Sequence, residues 1–171
     1  VSEADGRAAL HAALDAGVTF VDTADVYGDG RSERIIAEVL KERGGDRPFV
    51  ATKAGRRLSP HVDAGYTAEN LAAFVDRSLK NLGVERLDLV QLHCPPTETY
   101  YRREVFDALA ALKAAGKIRD WGVSVEKVEE ALKAIDYPGI ASVQIIFNMF
   151  RQRPARLFLP EAARQIGRGH V

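Results

Sequence analysis

Six side chains in this 171-residue chain could move protons or hold charge at a common place. Asp22 in FVDTAD, Lys53 in VATK, His93 in VQLH, Ser124 in GVS and Gln144 in VQIIFN each fall at the C-terminal end of a short apolar run. Asn148 follows Gln144 at the end of the last run. Tyr27 stands five residues after Asp22, beside glycines 28 and 30 that let the chain turn back over the run's end. A carboxylate and an ammonium at buried strand ends are costly unless they pair. Five polar residues in equivalent positions are hard to explain as capping alone. They point to a site where strand ends converge, as at the mouth of a parallel barrel.

The elements that must position these residues are legible from periodicity. Helical spacing marks residues 2–16, 32–43, 67–82 (Thr67 as N-cap, Gly83 as stop), 102–115, 126–135 and 154 to about 167. Short runs rich in β-branched residues mark strands at 18–24, 48–53, 87–93, 117–125 and 142–148. The order is one helix and then five strand–helix repeats. Continuous apolar strands between amphipathic helices imply an α/β fold with a parallel sheet covered on both faces. That spacing suits either a doubly wound sheet or a (β/α)8 barrel. A loop of about a dozen residues after 53 and a second long loop, HCPPTETYY, are long for such connections and lie on the same face as the polar ends.

Composition narrows the function classes. Lys plus Arg and Asp plus Glu each total 24, so the formal net charge is zero and no basic excess argues for nucleic acid or an anionic membrane. No apolar run reaches the roughly 20 residues of a membrane helix, and no signal pattern opens the chain. A single cysteine, Cys94, excludes an internal disulfide framework and fits a reducing, cytoplasmic setting. The histidines at 11, 61 and 170 have no metal-ligand spacing and read as solvated. Asp25 and Asp29 make only an incomplete EF-hand fragment. No phosphate-loop glycine motif is present. Trp121 reads as core, and Arg56, Arg57, Arg102 and Arg103 as surface charges, though any of the four could meet an anionic substrate.

In combination, VTFVDTADVYGDGRSE, the Lys of VATKAG, the His of LDLVQLHCP, GVS and VQ…FN resemble the aldo-keto reductase signature over residues 7–166. The resemblance implies a TIM barrel with an extended nicotinamide cofactor, NADPH or alternatively NADH, across its C-terminal mouth, and a small carbonyl compound as substrate. It places the family's catalytic tetrad on Asp22, Tyr27, Lys53 and His93. A developing oxyanion after hydride attack must be stabilised and protonated. Tyr27 would be the acid, Lys53 would lower its pKa, and Asp22 would hold Lys53 charged and oriented. His93 would hydrogen-bond the carbonyl oxygen. Ser124 and Gln144 fall where the family holds the nicotinamide carboxamide, and Asp22 is the third cofactor-binding residue the resemblance implies. Val125 departs from the family's Asn, and Asn148 is one candidate to supply the missing partner.

By the same resemblance the chain carries one domain, residues 1–171, holding about strands 2–6 and helices 1–6 of the barrel. It therefore reads as a piece of a longer protein. Five strands leave two open edges, through which copies could pair. Rival readings are a cofactor-binding regulatory subunit that keeps the reductase fold, an inactive fragment of the enzyme, and a barrel aldolase or phosphosugar isomerase using Lys53 as a Schiff base.

Overall fold

The computed structural model describes residues 2–165. Along the chain run α1 (Glu3–Asp15), β1 (Phe20–Asp22), α2 (Arg31–Arg43), β2 (Phe49–Ala54), α3 (Ala68–Leu82) and β3 (Leu87–His93). They are followed by α4 (Arg103–Ala114), β4 (Ile118–Val125), α5 (Val128–Ala134), β5 (Ile140–Ile145), α6 (Arg153–Leu157) and α7 (Leu159–Gln165). Each long loop carries a short 3₁₀ turn, Asp63–Gly65 in one and Thr97–Tyr101 in the other.

All five strands are parallel and pair in sequence order, β1 to β5. A doubly wound sheet reverses its strand order at a switch point, whereas a barrel adds each strand beside its predecessor. The topology therefore decides for the barrel. Curvature shows it independently. Laid flat, β1 and β5 would stand about 19 Å apart, four spacings of about 4.8 Å. Yet the Gln144 amide on β5 reaches within 3.4 Å of the Asp22 carboxylate on β1. The sheet curls into an arc that brings its two outer strands face to face across the mouth.

Local rules account for the element ends. Ser2 and Asp5 form a capping box at α1, and the Thr67 hydroxyl accepts from the Asn70 N–H at α3. Gly83, at φ 64°, closes α3 with its N–H on the Leu79 carbonyl. Val105, Phe106, Leu109 and Leu112 of α4 face the core, where Phe106 packs on Trp121 and stacks with Tyr137. From Val50 onward β2 is buried at every position, as expected of an inner strand with helices packed outside the arc and side chains of the other strands inside it. The outer strands are less covered, with Phe20 of β1 about half exposed and stacked on Phe49.

The structure departs from the periodicity in four places. Strand β1 is three residues long, although Thr19 and Thr23 extend its pairing through single hydrogen bonds to Phe49 and Ala51. Strand β5 stops at Ile145, and residues 146–151 form a turn in which the Asn148 side chain accepts from the N–H groups of Phe150 and Arg151. The single C-terminal helix expected from Pro154 is broken at Phe158. Pro160 has no N–H for the helix ladder and restricts the residue before it. The expected continuation to 167 lies outside the described residues. Helix α1 buries no side chain and is fastened to α2 by ion pairs, Arg7 with Glu38 and Glu42 and Arg43 with Asp15. Among the described residues no helix is long and apolar enough to cross a membrane.

One buried carboxylate ties layers together. Glu33 of α2, fully buried, accepts from the Thr52 hydroxyl of β2 at 2.6 Å and from the Asn81 amide of α3 at 2.8 Å. Removing it strands the buried Thr52 hydroxyl and the half-buried Asn81 amide, and an unpaired buried donor costs about 1–3 kcal/mol. Glu33→Ala is expected to lower the unfolding free energy by about 3 kcal/mol, measured by urea denaturation; a loss below about 1 kcal/mol would contradict this role.

Candidate active site

The strand ends place five of the six sequence-predicted residues around one mouth, and the turn after β1 adds the sixth. Lys53, 2% exposed, donates from Nζ to Asp22 Oδ2 at 2.6 Å and to the Thr23 carbonyl at 2.9 Å. The register allows this: Asp22 pairs with Ala51, and Lys53, two residues on, points to the same face. One register step further around the arc, His93 pairs with Ser124, and Ser124 with Gln144. Tyr27 is carried back over the mouth by tight turns in which its N–H donates to the Ala24 carbonyl and its carbonyl accepts from the Ser32 N–H. Its ring meets the His93 imidazole edge-on at 5.8 Å between centroids, with Lys53 Nζ 5.6 Å from the ring centre.

The electrostatics correct one expectation. Lys53 was expected to lower the Tyr27 phenol, but the phenol is held above its ordinary value. Burial acts first, then the negative charge of Asp22 and the neighbouring Cys94. The physical reason is that the ammonium faces Asp22 and Thr23, so its charge is taken up by the carboxylate. Tyr27, 44% exposed, therefore keeps its proton and presents it to the mouth. His93 is pushed down to about 4 by burial, then by Lys53 and Arg56, so the imidazole is neutral near pH 7. Its Nδ1 is buried without a hydrogen-bond partner.

Ser124 is buried, and its hydroxyl lies 3.6 Å from the Cys94 sulfur. Gln144 is exposed apart from its long contact with Asp22. The Asn148 side-chain oxygen is committed to the turn it caps, accepting from the N–H groups of Phe150 and Arg151. His61 is not simply solvated: its Nε2 sits 2.7 Å from the hydroxyl of the fully buried Tyr66. His11 is 3.6 Å from Glu42 rather than free in solvent, and His170 lies outside the described residues. Among the described residues, no three His, Cys, Asp or Glu side chains gather as a metal site requires.

Sequence reasoning set Asp25 aside as part of an incomplete EF-hand fragment. It is fully buried between the mouth and an ion cluster in which Arg57 and Arg77 hold Asp29, and neither of its carboxylate oxygens has a hydrogen-bond partner. Burial and then the charge of Glu33 push it up to about 7, against the pull of Arg57 and Arg77. The available signal was an acid three residues after Asp22 inside an apolar stretch.

A parallel arc of five strands with a proton-bearing phenol, a neutral imidazole and a buried Lys–Asp pair at its C-terminal mouth belongs to the barrel enzymes. Comparison with known proteins makes this specific. The model of the Aldo/keto reductase family matches residues 1–167. Aldo-keto reductase YhdN of Bacillus subtilis is 33% identical over 163 residues, covering 90% of this chain and 46% of YhdN. The holo form of aldo-keto reductase AKR11C1 from Bacillus halodurans superposes with a TM-score of 0.83 at 26% identity, covering 96% of this chain and 55% of that one. An aldo/keto reductase from Klebsiella pneumoniae in complex with NADP and acetate gives 0.79 at 25% identity, covering 96% and 56%. The chain belongs to the aldo/keto reductase family, is part of its (β/α)8 barrel, and spans about half the length of the relatives it matches.

The raised Asp25 carboxyl has a consequence for stability. Between the ordinary carboxylate value near 4 and its folded value of about 7, the folded chain holds a proton that the unfolded chain has released. Stability from this group is therefore full below about pH 4 and lost as pH rises to about 7. Asp25→Asn removes the titration, so its stability relative to the parent should rise by more than about 1 kcal/mol from pH 4.5 to 7.5, read from urea denaturation at each pH. A difference that does not change with pH would refute the assignment.

Proposed function

We propose that the protein carrying this chain reduces aldehydes or ketones to alcohols, and runs the reverse oxidation, with NADPH as the hydride source and NADH as the alternative. The observation that carries this reading is the meeting of Tyr27, His93 and the Lys53–Asp22 pair at one mouth in a chain of this family. The Klebsiella relative is described as a complex with NADP.

The chain's own residues fit the nicotinamide end of such a cofactor. A carboxamide needs both a donor and an acceptor. Gln144, exposed and only loosely held by Asp22, and Ser124, its register partner on β4, present both at the mouth. When bound, the cofactor supplies the hydride to the carbonyl carbon.

Tyr27 acts as the general acid in reduction. Its raised pKa keeps the phenol protonated through the physiological range, and its exposure lets a substrate oxygen reach it. His93, neutral, hydrogen-bonds the same oxygen and orients it without adding a charge. The Lys53 ammonium, hydrogen-bonded to Asp22 and the Thr23 carbonyl, lies 5.6 Å from the centre of the Tyr27 ring, and the pair holds the strand ends that position the phenol. A Schiff-base role for Lys53 fits poorly with an amine that is buried and hydrogen-bonded to both Asp22 and the Thr23 carbonyl.

Tyr27→Phe is expected to cut turnover of a simple aldehyde by about 10³-fold or more while NADPH binding, followed by fluorescence titration, stays within about twofold. Full activity in that variant would sink the assignment of the acid. The pH dependence follows from the directions of the shifts. Reduction should lose nothing to His93 protonation until pH approaches about 4, whereas alcohol oxidation, which needs Tyr27 to give up its proton, should climb with pH into the alkaline range. Initial rates in both directions from pH 5 to 10 test this, and an oxidation rate that falls with rising pH would contradict it.

A further inference from the structure

Of the four arginines that could meet an anionic substrate, three are already engaged. Arg57 pairs with Asp29, Arg102 with Asp63 and Glu104, and Arg103 with Asp107. Arg56 is exposed and makes no ion pair or side-chain hydrogen bond among the described residues. It lies three residues after Lys53, in the loop that leaves the C-terminal mouth.

The backbone on either side of Arg56 is held. Gly55 before it has φ +105°, and a Cβ there would come within 2.5 Å of the Tyr66 ring, so the chain passes flush against a buried tyrosine that His61 hydrogen-bonds. Arg57 after it is anchored to Asp29. Because β2 ends at Ala54 and Gly55 lies against the Tyr66 ring, whose hydroxyl meets His61, Arg56 leaves the C-terminal end of the sheet beside that pair. Asp22 is occupied by Lys53, Asp29 by two arginines and Asp63 by Arg102, while Asp25 is fully buried. Ser124 and Gln144, proposed to hold the carboxamide, stand on β4 and β5, away from the loop after β2 that carries Arg56.

We infer that Arg56 is a specificity-determining residue that gives this mouth a preference for carbonyl substrates bearing an anionic group, a carboxylate or phosphate, and this rests on the carbonyl-reducing reading above. A guanidinium offers a planar fork of donors that fits either anion bidentately. Held on a braced backbone, it loses less freedom on binding than the same side chain on a loose loop.

The test uses the protein carrying this chain, NADPH, and a matched pair of substrates, 4-carboxybenzaldehyde and its neutral 4-carbamoyl analogue. Arg56→Gln should lower kcat/KM for the carboxylate about tenfold, mainly through KM. It should leave the neutral aldehyde and the KM for NADPH within about twofold, and Arg56→Lys should recover part of the loss. A carboxylate-to-neutral ratio that Arg56→Gln does not move overturns the inference, as does a loss that falls on NADPH instead. If neither aldehyde is reduced, the carbonyl-reducing reading has failed, and calorimetric binding of 4-(hydroxymethyl)benzoate against its neutral amide still decides the role of Arg56. Weakening of the anion alone by about tenfold in Arg56→Gln supports it, and equal weakening of both or of neither overturns it.

Discussion

The arrangement of the mouth depends on one buried ion pair. An ammonium taken out of water at Lys53 has to be compensated, and the compensation comes from the adjacent strand, through the Asp22 carboxylate and the Thr23 carbonyl. Strand β1 is only three residues long, yet its register cannot slip. A one-residue shift would turn Asp22 to the other face and leave the lysine unpaired. The same pair fixes the turn after β1, because Thr23 and Asp25 continue the pairing to β2 through hydrogen bonds to the Ala51 and Lys53 carbonyls. Tyr27 sits at the end of that turn, so the position of the phenol is set from beneath by the charge it neighbours.

The long loops are the second structured part of the mouth. Asp63 in the first loop accepts from the Thr99 hydroxyl in the second at 2.9 Å, and its carbonyl accepts from the Arg102 guanidinium at 2.7 Å. Tyr100, fully buried, accepts through its carbonyl from the Tyr137 hydroxyl just after α5. The two loops thus form one wall rather than two independent flaps. Tyr66 and His61 are part of it, and Arg56 emerges from its base.

Much of this was legible in the sequence, and the failures share a cause. The strand–helix order, the Thr67 cap, the Gly83 stop and the polar strand ends are local signals, and each appears where periodicity and turn chemistry put it. The shortness of β1, the break at Phe158 and the turn capped by Asn148 are also local, but they were overridden by apolar pattern, which continues smoothly through all three. The remaining misses could not be read locally. Whether Lys53 acts on Tyr27 depends on where the ammonium points, and that is decided by Asp22. Glu33 reads as an ordinary surface acid on a helix until Thr52 and Asn81 are folded against it. Asp25 resembles a fragment of a cation loop until its isolation is seen.

The contact between Asp22 and Gln144 joins residues 122 positions apart, on the first and last strands of the described sheet. Every other step around the arc is made between neighbours in the chain, so β1 to β3, and with them the proton-handling residues, can come together while β5 is still being synthesised. The arc can close across its mouth only once β5 has arrived. The groups proposed to handle the proton thus lie on the strands synthesised first, and the groups proposed to grip the cofactor on those synthesised last.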